Sequence, residues 1–415
     1  ILITAPQGFG KTTNLDMIRR FCELQVRSDG SVVPIEQTEN YRVFTAKYMK
    51  GDTEKHLDVF KDRRFFDNHF GKYSVIYLDF KSLKGTSYDH FLRSFRRVVA
   101  TEFRRHKYLL TSKKLNDGDR ASLNDYFEKI VKGQATKDDI LNGVKFLTEV
   151  LCNIFGSKVI VLVDEYDAAV QDALFRSAID LEQIIDVYHD LIFYLFKFNY
   201  YVERALVNSC IRQSGADLIG ENDFEFLFFT RKHNFKSFYG FTKDEVLGLA
   251  SKFKISNEMK NIESWYGGYY EYISKLDMFH VDSVVKYLKF KIFRSYWPKL
   301  KTMESFRNIF SDIDFRSEVF GIVENGSYIM EEDVADRIKI MDLHKTLNGF
   351  LHLGKDLSKI SLHKEFLLFN FMLDLGYYTS KPFRKKVNGR AAVTLEVPNK
   401  QMEREIQVLA KKYLK

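Results

Sequence analysis

The chain has 415 residues, 45% apolar and 15% aromatic, with 38 Phe and 23 Tyr but only 5 Pro; this excludes a disordered or collagen-like polymer and supplies ample core. A formal charge of +8 from 64 basic and 56 acidic residues is diluted over both signs, so it permits an anionic partner without demanding one. Three widely spaced cysteines (Cys22, Cys152, Cys210) exclude a closed disulfide framework, lack metal-ligand spacing and read as residents of a reducing compartment.

Taken in order, "ILITA" (1–5) reads as a short buried strand, and 12–24 as a helix with Leu15, Ile18 and Cys22 on one face. "YSVIYLDF" (73–80) is a second strand, and 88–107 a helix burying Phe91, Phe95, Val98, Val99 and Phe103. A helix over 137–155 leads to "KVIVLVDE" (158–165), whose unbroken apolar run is the mark of a strand covered on both faces. A helix over 178–198 and a strand over 203–209 follow. Strands alternating with helices imply parallel pairing. Beyond residue 240 the pattern becomes mostly short helices. Thr242 and Glu245 form a capping box that starts one at 243, Asn388-Gly389 turns a hairpin with both residues at positive φ, and a last helix follows Pro398. The expected fold is α/β, with a nucleotide-binding-type core over 1–240 and a mainly helical domain over 241–415 that ends in a small winged element. No internal repeat or low-complexity linker interrupts it.

No apolar run reaches the roughly 20 residues a bilayer requires, since Lys197 and Asn199 interrupt "DLIFYLFKFNYYV". The expectation is an intracellular protein, cytoplasmic or nuclear. The chain begins at Ile1 inside a strand, so residues preceding it are expected and a targeting peptide would not be visible. An Asn-Gly-Ser triplet at Asn325 matches the glycan-acceptor pattern, which is common by chance.

The stretch "APQGFGKTT" carries the chemistry. A phosphate loop needs a strand feeding a tight turn whose successive N–H groups point inward, followed by the positive end of a helix. Gly8 and Gly10 supply the backbone freedom, Lys11 the cation for the β and γ phosphates, and Thr12 a hydroxyl for Mg²⁺. Ala5 stands where the common pattern has its first glycine, which is tolerable if that residue closes the strand at negative φ. The loop predicts a second site, an acid at the tip of a neighbouring buried strand with a glutamate beside it to take a proton from water. "VIVLVDEYD" provides both in Asp164 and Glu165.

At these motifs the chain resembles a known family. "APQGFGKTTNLDMIRRF", "NHFGKYSVIYLDFKSLKG", "VIVLVDEYDAAV", "FYGFTKDEV", "SWYGGYY" and "LGYYTS…TLEVPNK" are similar, in order, to the successive motifs of the AAA-ATPase-like family of P-loop proteins. The resemblance implies an additional-strand P-loop NTPase core with a helical extension, ATP and Mg²⁺ as ligands, and hydrolysis of the β-γ phosphoanhydride. Pro6, Phe9, Gly10, Lys11, Asp164, Glu165 and Tyr166 match the family pattern, and Pro6, Gln7, Gly8, Phe9, Gly10, Lys11, Thr12 and Thr13 are the nucleotide-binding candidates, with Thr12 and Asp164 on the metal. Many bacterial relatives continue into a PD-(D/E)XK nuclease-like domain; this chain stops about where that begins, and Glu396 and Lys400 are too far apart for an E-x-K core. Two departures bear on turnover: Gln7 and Gly8 stand where family loops carry two arginines, and Asn208-Ser209 where a Thr-Gly pair is usual. Asn208 is a candidate for orienting water, or simply a satisfied strand-end residue.

Arg204, Arg212 and Arg231 are candidates for a cation on the γ-phosphate, Arg212 foremost, with surface ion pairing as the plainer reading. "WYGGYY" is read as turn or core packing before base stacking. Arg93, Arg96, Arg97, Arg104 and Lys107 form a basic helix face, solvated or suited to nucleic-acid phosphates; no base-reading module accompanies it. His344 and His352, eight apart, are poorly spaced for a shared metal. Three functions stay open: a Mg²⁺-dependent ATP hydrolase that couples turnover to motion between core and helical domain, a nucleotide-loaded interaction or scaffold protein with little turnover that engages a protein partner or itself, and a nucleic-acid-associated ATPase subunit.

Overall fold

The computed structural model describes residues 1–415 apart from 51–52, 177, 198, 220–223, 230–237, 272–275, 298–307, 333–337, 353–363, 388 and 411–415. Its first strand, β1 (Leu2–Thr4), is entirely buried and turns within six residues into α1 (Lys11–Cys22). Leu15 on that helix packs with Val75, Ile160 and Leu162, and Ile18 and Cys22 lie against the same cluster, as their spacing predicted.

A peripheral piece follows, made of α2 (Glu39–Thr45), a hairpin of β2 (Lys47–Lys50) and β3 (Thr53–His56), α3 (Asp58–Lys61) and α4 (Arg63–His69). The hairpin escapes a sequence reading because "KYMKGDTEKH" has no apolar alternation. Next come β4 (Val75–Asp79), α5 (Tyr88–Arg105), α6 (Asp117–Val131), α7 (Lys137–Phe155) and β5 (Val159–Asp164). The five apolar positions expected on α5 are all buried, and at about 1.5–3 kcal/mol each they anchor the helix to the sheet. Then follow α8 (Ala168–Arg176), α9 (Leu181–Leu195), β6 (Val202–Ser209) and β7 (Phe226–Phe228). The expected helix 178–198 is thus trimmed to α9, and a further helix, α8, starts directly after the acid-bearing strand.

Among the described residues the central sheet has five strands, all parallel, in the order β4-β5-β6-β1-β7. β6 therefore lies between the glycine-loop strand and the acid strand, with Ile3 opposite Asn208 and Leu162 opposite Leu206. All six residues of β5 are buried, in keeping with helices on both faces.

The second half contains α10 (Lys243–Lys252), α11 (Met259–Tyr266), a small hairpin of β8 (Tyr269–Glu271) and β9 (Leu276–Met278), α12 (Val281–Phe290) and α13 (Ile313–Asn325). It continues through β10 (Tyr328–Glu331), α14 (Ile340–His352), α15 (Lys364–Leu375), β11 (Thr379–Val387), β12 (Arg390–Glu396) and α16 (Lys400–Ala410). Both halves of the capping box at Thr242 and Glu245 are formed. The expected hairpin pairs from Thr379↔Glu396 to Val387↔Arg390, with Gly389 at φ +78°; Asn388 lies outside the described residues. β10 adds to β12 and makes this element a three-stranded antiparallel sheet. Among the described residues no helix is long and apolar enough to cross a membrane.

Candidate functional site

The glycine loop takes its shape from two left-handed residues. Gly8 lies at φ +80° and Gly10 at φ +88°, a region costly for any residue with a Cβ. Gly10 is the N-cap of α1, and the Asn14 N–H donates to its carbonyl at 2.9 Å, so the helix begins at Lys11 with its first amides free. Thr12 and Thr13 are exposed on that first turn. With Gly8, Gly10, Lys11 and Glu165 they line a cleft of about 320 Å³.

Lys11 is 4% exposed. Its Nζ donates to the Ala5 carbonyl at 2.6 Å and the Pro6 carbonyl at 3.1 Å, and lies 3.2 Å from Cys210 Sγ. Burial acts to lower its pKa, but Cys210, Glu165 and Asp167 outweigh that and the net shift is upward. Burial holds the Cys210 thiol up at about 12, so near neutral pH the attraction for the ammonium comes from the two acids.

Asp164 ends β5 and is buried; Glu165 follows at φ +52°, an unusual conformation for a residue with a long side chain. Desolvation pushes the Glu165 carboxyl upward, reinforced by Asp167 and Asp164 and opposed by Lys11 and Lys81. The turn is tied down by the Tyr166 N–H, which donates to the Asn208 carbonyl at 2.8 Å. Asn208 itself joins the two motifs: its Nδ2 donates to the Lys11 carbonyl at 3.1 Å and lies 3.4 Å from Asp164 Oδ1, while its Oδ1 is buried without a hydrogen-bond partner. A buried acceptor left unpaired at such a junction is costly unless something donates to it.

Asp167 was not singled out from the sequence although it closes the same "DEYD" stretch. It is fully buried, and its Oδ2 accepts from the N–H groups of Cys210 and Ile211 at 3.0 and 2.8 Å, fixing the end of β6 against the acid turn. Its burial follows from the turn after β5 and leaves no periodic trace.

The second half closes over the loop. The His280 ring donates from Nε2 to the Gln7 carbonyl at 2.9 Å, and its Nδ1 accepts from the Ser283 N–H as N-cap of α12. The Asp282 N–H donates to the Gly8 carbonyl at 3.1 Å, and the Gly240 N–H to the Phe9 carbonyl at 3.0 Å. His280 is fully buried, which pushes its pKa down to about 4 and keeps it neutral. The Phe9 ring packs edge-on to Phe229 and Tyr269, at 4.9 and 4.8 Å between centroids. Tyr269 from "WYGGYY" is therefore core packing, and its hydroxyl donates to the Gly376 carbonyl. Gly376, in "LGYY", comes so close to Pro6 that a Cβ there would lie 2.7 Å from the Pro6 Cβ.

Several candidates are placed elsewhere than the sequence suggested. The side chains of Pro6 and Phe9, offered as nucleotide contacts, are buried in this packing; the ring of Phe9 faces the aromatic cluster, and Pro6 has no N–H to give. Arg212, the foremost γ-phosphate cation, is 3% exposed and engaged: its Nε donates to Asp374 Oδ1 at 2.6 Å and its Nη2 to Asn370 Oδ1 at 2.7 Å. A desolvated guanidinium is held by the acid 162 residues away because leaving either charge buried alone is prohibitive. Arg204 is exposed on β6, and Arg231 lies outside the described residues. On α5, Arg93, Arg97 and Arg104 are solvated, and Arg96 donates to the Ala135 carbonyl. His344 shares a hydrogen bond with Asn348, and the side chain of His352 lies outside the described residues.

The family model described as a predicted AAA-ATPase matches residues 1–214, just over half the chain and the part holding both motifs. The chain belongs to the AAA-ATPase-like family. No curated protein matches it. The all-parallel sheet, with β6 between the loop strand and the acid strand, is consistent with the α/β P-loop-type core of an AAA-ATPase-like protein. Membership supports nucleotide binding, with ATP as the ligand, at the level of the family.

Proposed function

We propose that this AAA-ATPase-like chain binds Mg·ATP at the glycine loop and hydrolyses it, and that turnover alters the relation between a core (1–240) and a helical domain (241–415). The observation that carries the reading is Asn208, whose amide spans from the Lys11 carbonyl to Asp164 and so joins loop and acid through one side chain on the intervening strand. Amides from Gly8 to Thr13 cradle the phosphates, and Lys11 exchanges the Ala5 and Pro6 carbonyls for phosphate oxygens.

The donor chemistry fits Mg²⁺: Thr12 on the first turn of α1 offers a hydroxyl and Asp164 at the end of β5 a carboxylate, both hard oxygen donors. Thr12 and Asp164 would hold the ion there, and its charge would offset that of the phosphate oxygens. Glu165 accepts the proton of the attacking water; its raised pKa brings it nearer to working pH. The unpaired Oδ1 of Asn208 would accept a hydrogen bond from that water and orient it.

A second reading, a nucleotide-holding scaffold with little turnover, is favoured by Arg212, which is tied to Asp374 and not free to reach a phosphate. ATP hydrolysis by wild type and Glu165→Gln separates the two, with nucleotide affinity of Lys11→Ala as the binding control. The hydrolase predicts a loss of kcat of at least about 100-fold in Glu165→Gln with ATP still bound, whereas equal background from both proteins rejects it. Nucleic-acid association has only the solvated face of α5 in its favour and predicts affinity that falls steeply with salt.

A further inference from the structure

Glu165 lines two clefts, and the roles above use only one. The second, about 220 Å³, is lined by Glu165 together with Gln7, Cys210, Lys81, Lys84 and Asp172. The Lys11 ammonium lies at the boundary, 3.2 Å from the sulfur of Cys210. A polyphosphate held on the amides of Gly8 to Thr12 and running past Lys11 therefore ends at the mouth of this second cleft.

The two lysines are delivered there by strand register. β4 pairs with β5 so that Asp79 stands opposite Asp164, and the chain leaving β4 emerges beside the turn that carries Glu165. Phe80 is fully buried and stacks on Tyr166 at 5.9 Å between centroids, while Asp79 Oδ1 accepts from the Lys81 N–H at 2.9 Å. Further along, the Lys84 N–H donates to Ser94 Oγ, and Gly85 is pressed so tightly on α8 that a Cβ would lie 1.9 Å from the Ala169 carbonyl. The backbone of 80–85 is thus held at Phe80, Lys81, Lys84 and Gly85. Both lysine side chains are exposed, and among the described residues neither Nζ has a hydrogen-bond or ion-pair partner. Other cations around the loop are engaged: Arg212 by Asp374, and Lys286 by Asp282.

We infer that Lys81, with Lys84 beside it, supplies in cis the positive charge that faces the terminal phosphate of bound ATP. This rests on the hydrolase reading for its catalytic part and on nucleotide binding alone for the rest. In the reaction the water oxygen bonds to the γ-phosphorus as the bond to the β,γ-bridging oxygen breaks, its electron pair leaving with ADP and the proton of the water passing to Glu165. The lysines offset the charge on the γ-oxygens.

The test compares wild type, Lys81→Ala, Lys84→Ala, the double variant and Lys81→Arg, all exposed-residue changes that spare the core. Three readouts apply: single-turnover hydrolysis, ATP against ADP affinity, and trapping of ADP with aluminium fluoride. Lys81→Ala is expected to lower kcat at least about tenfold and to weaken trapping, with ADP affinity unchanged; Lys81→Arg restores most of the rate. The double variant is expected to lose the preference for ATP over ADP. Wild-type rate and unchanged ATP preference in the double variant overturn the inference. If the wild type does not hydrolyse ATP the hydrolase reading fails, and the ATP-over-ADP preference then decides: its loss in the double variant upholds the lysines as the γ-phosphate site, its persistence removes them.

Discussion

Gly8→Ala tests whether the second half truly grips the glycine loop. Alanine at φ +80° costs about 1–2 kcal/mol from the left-handed backbone alone. The new Cβ would also lie 2.3 Å from His280 Nε2 and 2.4 Å from its Cε1. The ring has nowhere to go: it is fully buried, with Phe9 at 5.3 Å and Trp297 at 4.8 Å between centroids, and its Nδ1 caps α12. Displacing it adds about 1–3 kcal/mol of overpacking and about 1 kcal/mol for the lost bond to the Gln7 carbonyl. Stiffening of the unfolded chain returns about 0.4–1 kcal/mol, so the net loss is about 2–6 kcal/mol. In a His280→Ala background only the backbone cost remains. Urea unfolding of wild type, both single variants and the double variant is expected to give a coupling of about 2–4 kcal/mol. Additive costs, within about 0.5 kcal/mol, would show that the imidazole does not sit on the loop.

His280 also makes stability depend on pH. Its folded pKa of about 4 lies below the ordinary 6.5, so between those values the unfolded chain binds the extra proton and stability falls with acidification. The contribution is intact above pH 6.5 and is lost as pH falls toward 4, in total about 3 kcal/mol; unfolding midpoints at pH 7.5 and 5 should converge in His280→Gln, and an undiminished pH slope in that variant would assign the effect elsewhere. Arg212→Met leaves Asp374 buried without its ion-pair partner and is expected to destabilise by about 3–5 kcal/mol in denaturant unfolding, whereas a loss below about 1 kcal/mol would mark the pair as no more than a surface bridge.

What could be read from the chain alone was whatever neighbours within a few residues decide. Gly8 and Gly10 permit the loop, Lys11 opens the helix behind it, the apolar run before Asp164 makes a buried strand, and Thr242 and Glu245 cap each other across one turn. The tertiary structure decided everything that depends on which surfaces bury together. It put Asn208 between loop and acid by strand order, brought His280 to Gln7 across 273 residues, and engaged Arg212 with Asp374. It also set Lys81 beside Glu165 through the pairing of Asp79 with Asp164. Backbone conformation is a local preference and leaves its signature in adjacent letters. The partner of a buried polar group is chosen by the packing that excludes water from it, and no short stretch of sequence records that choice.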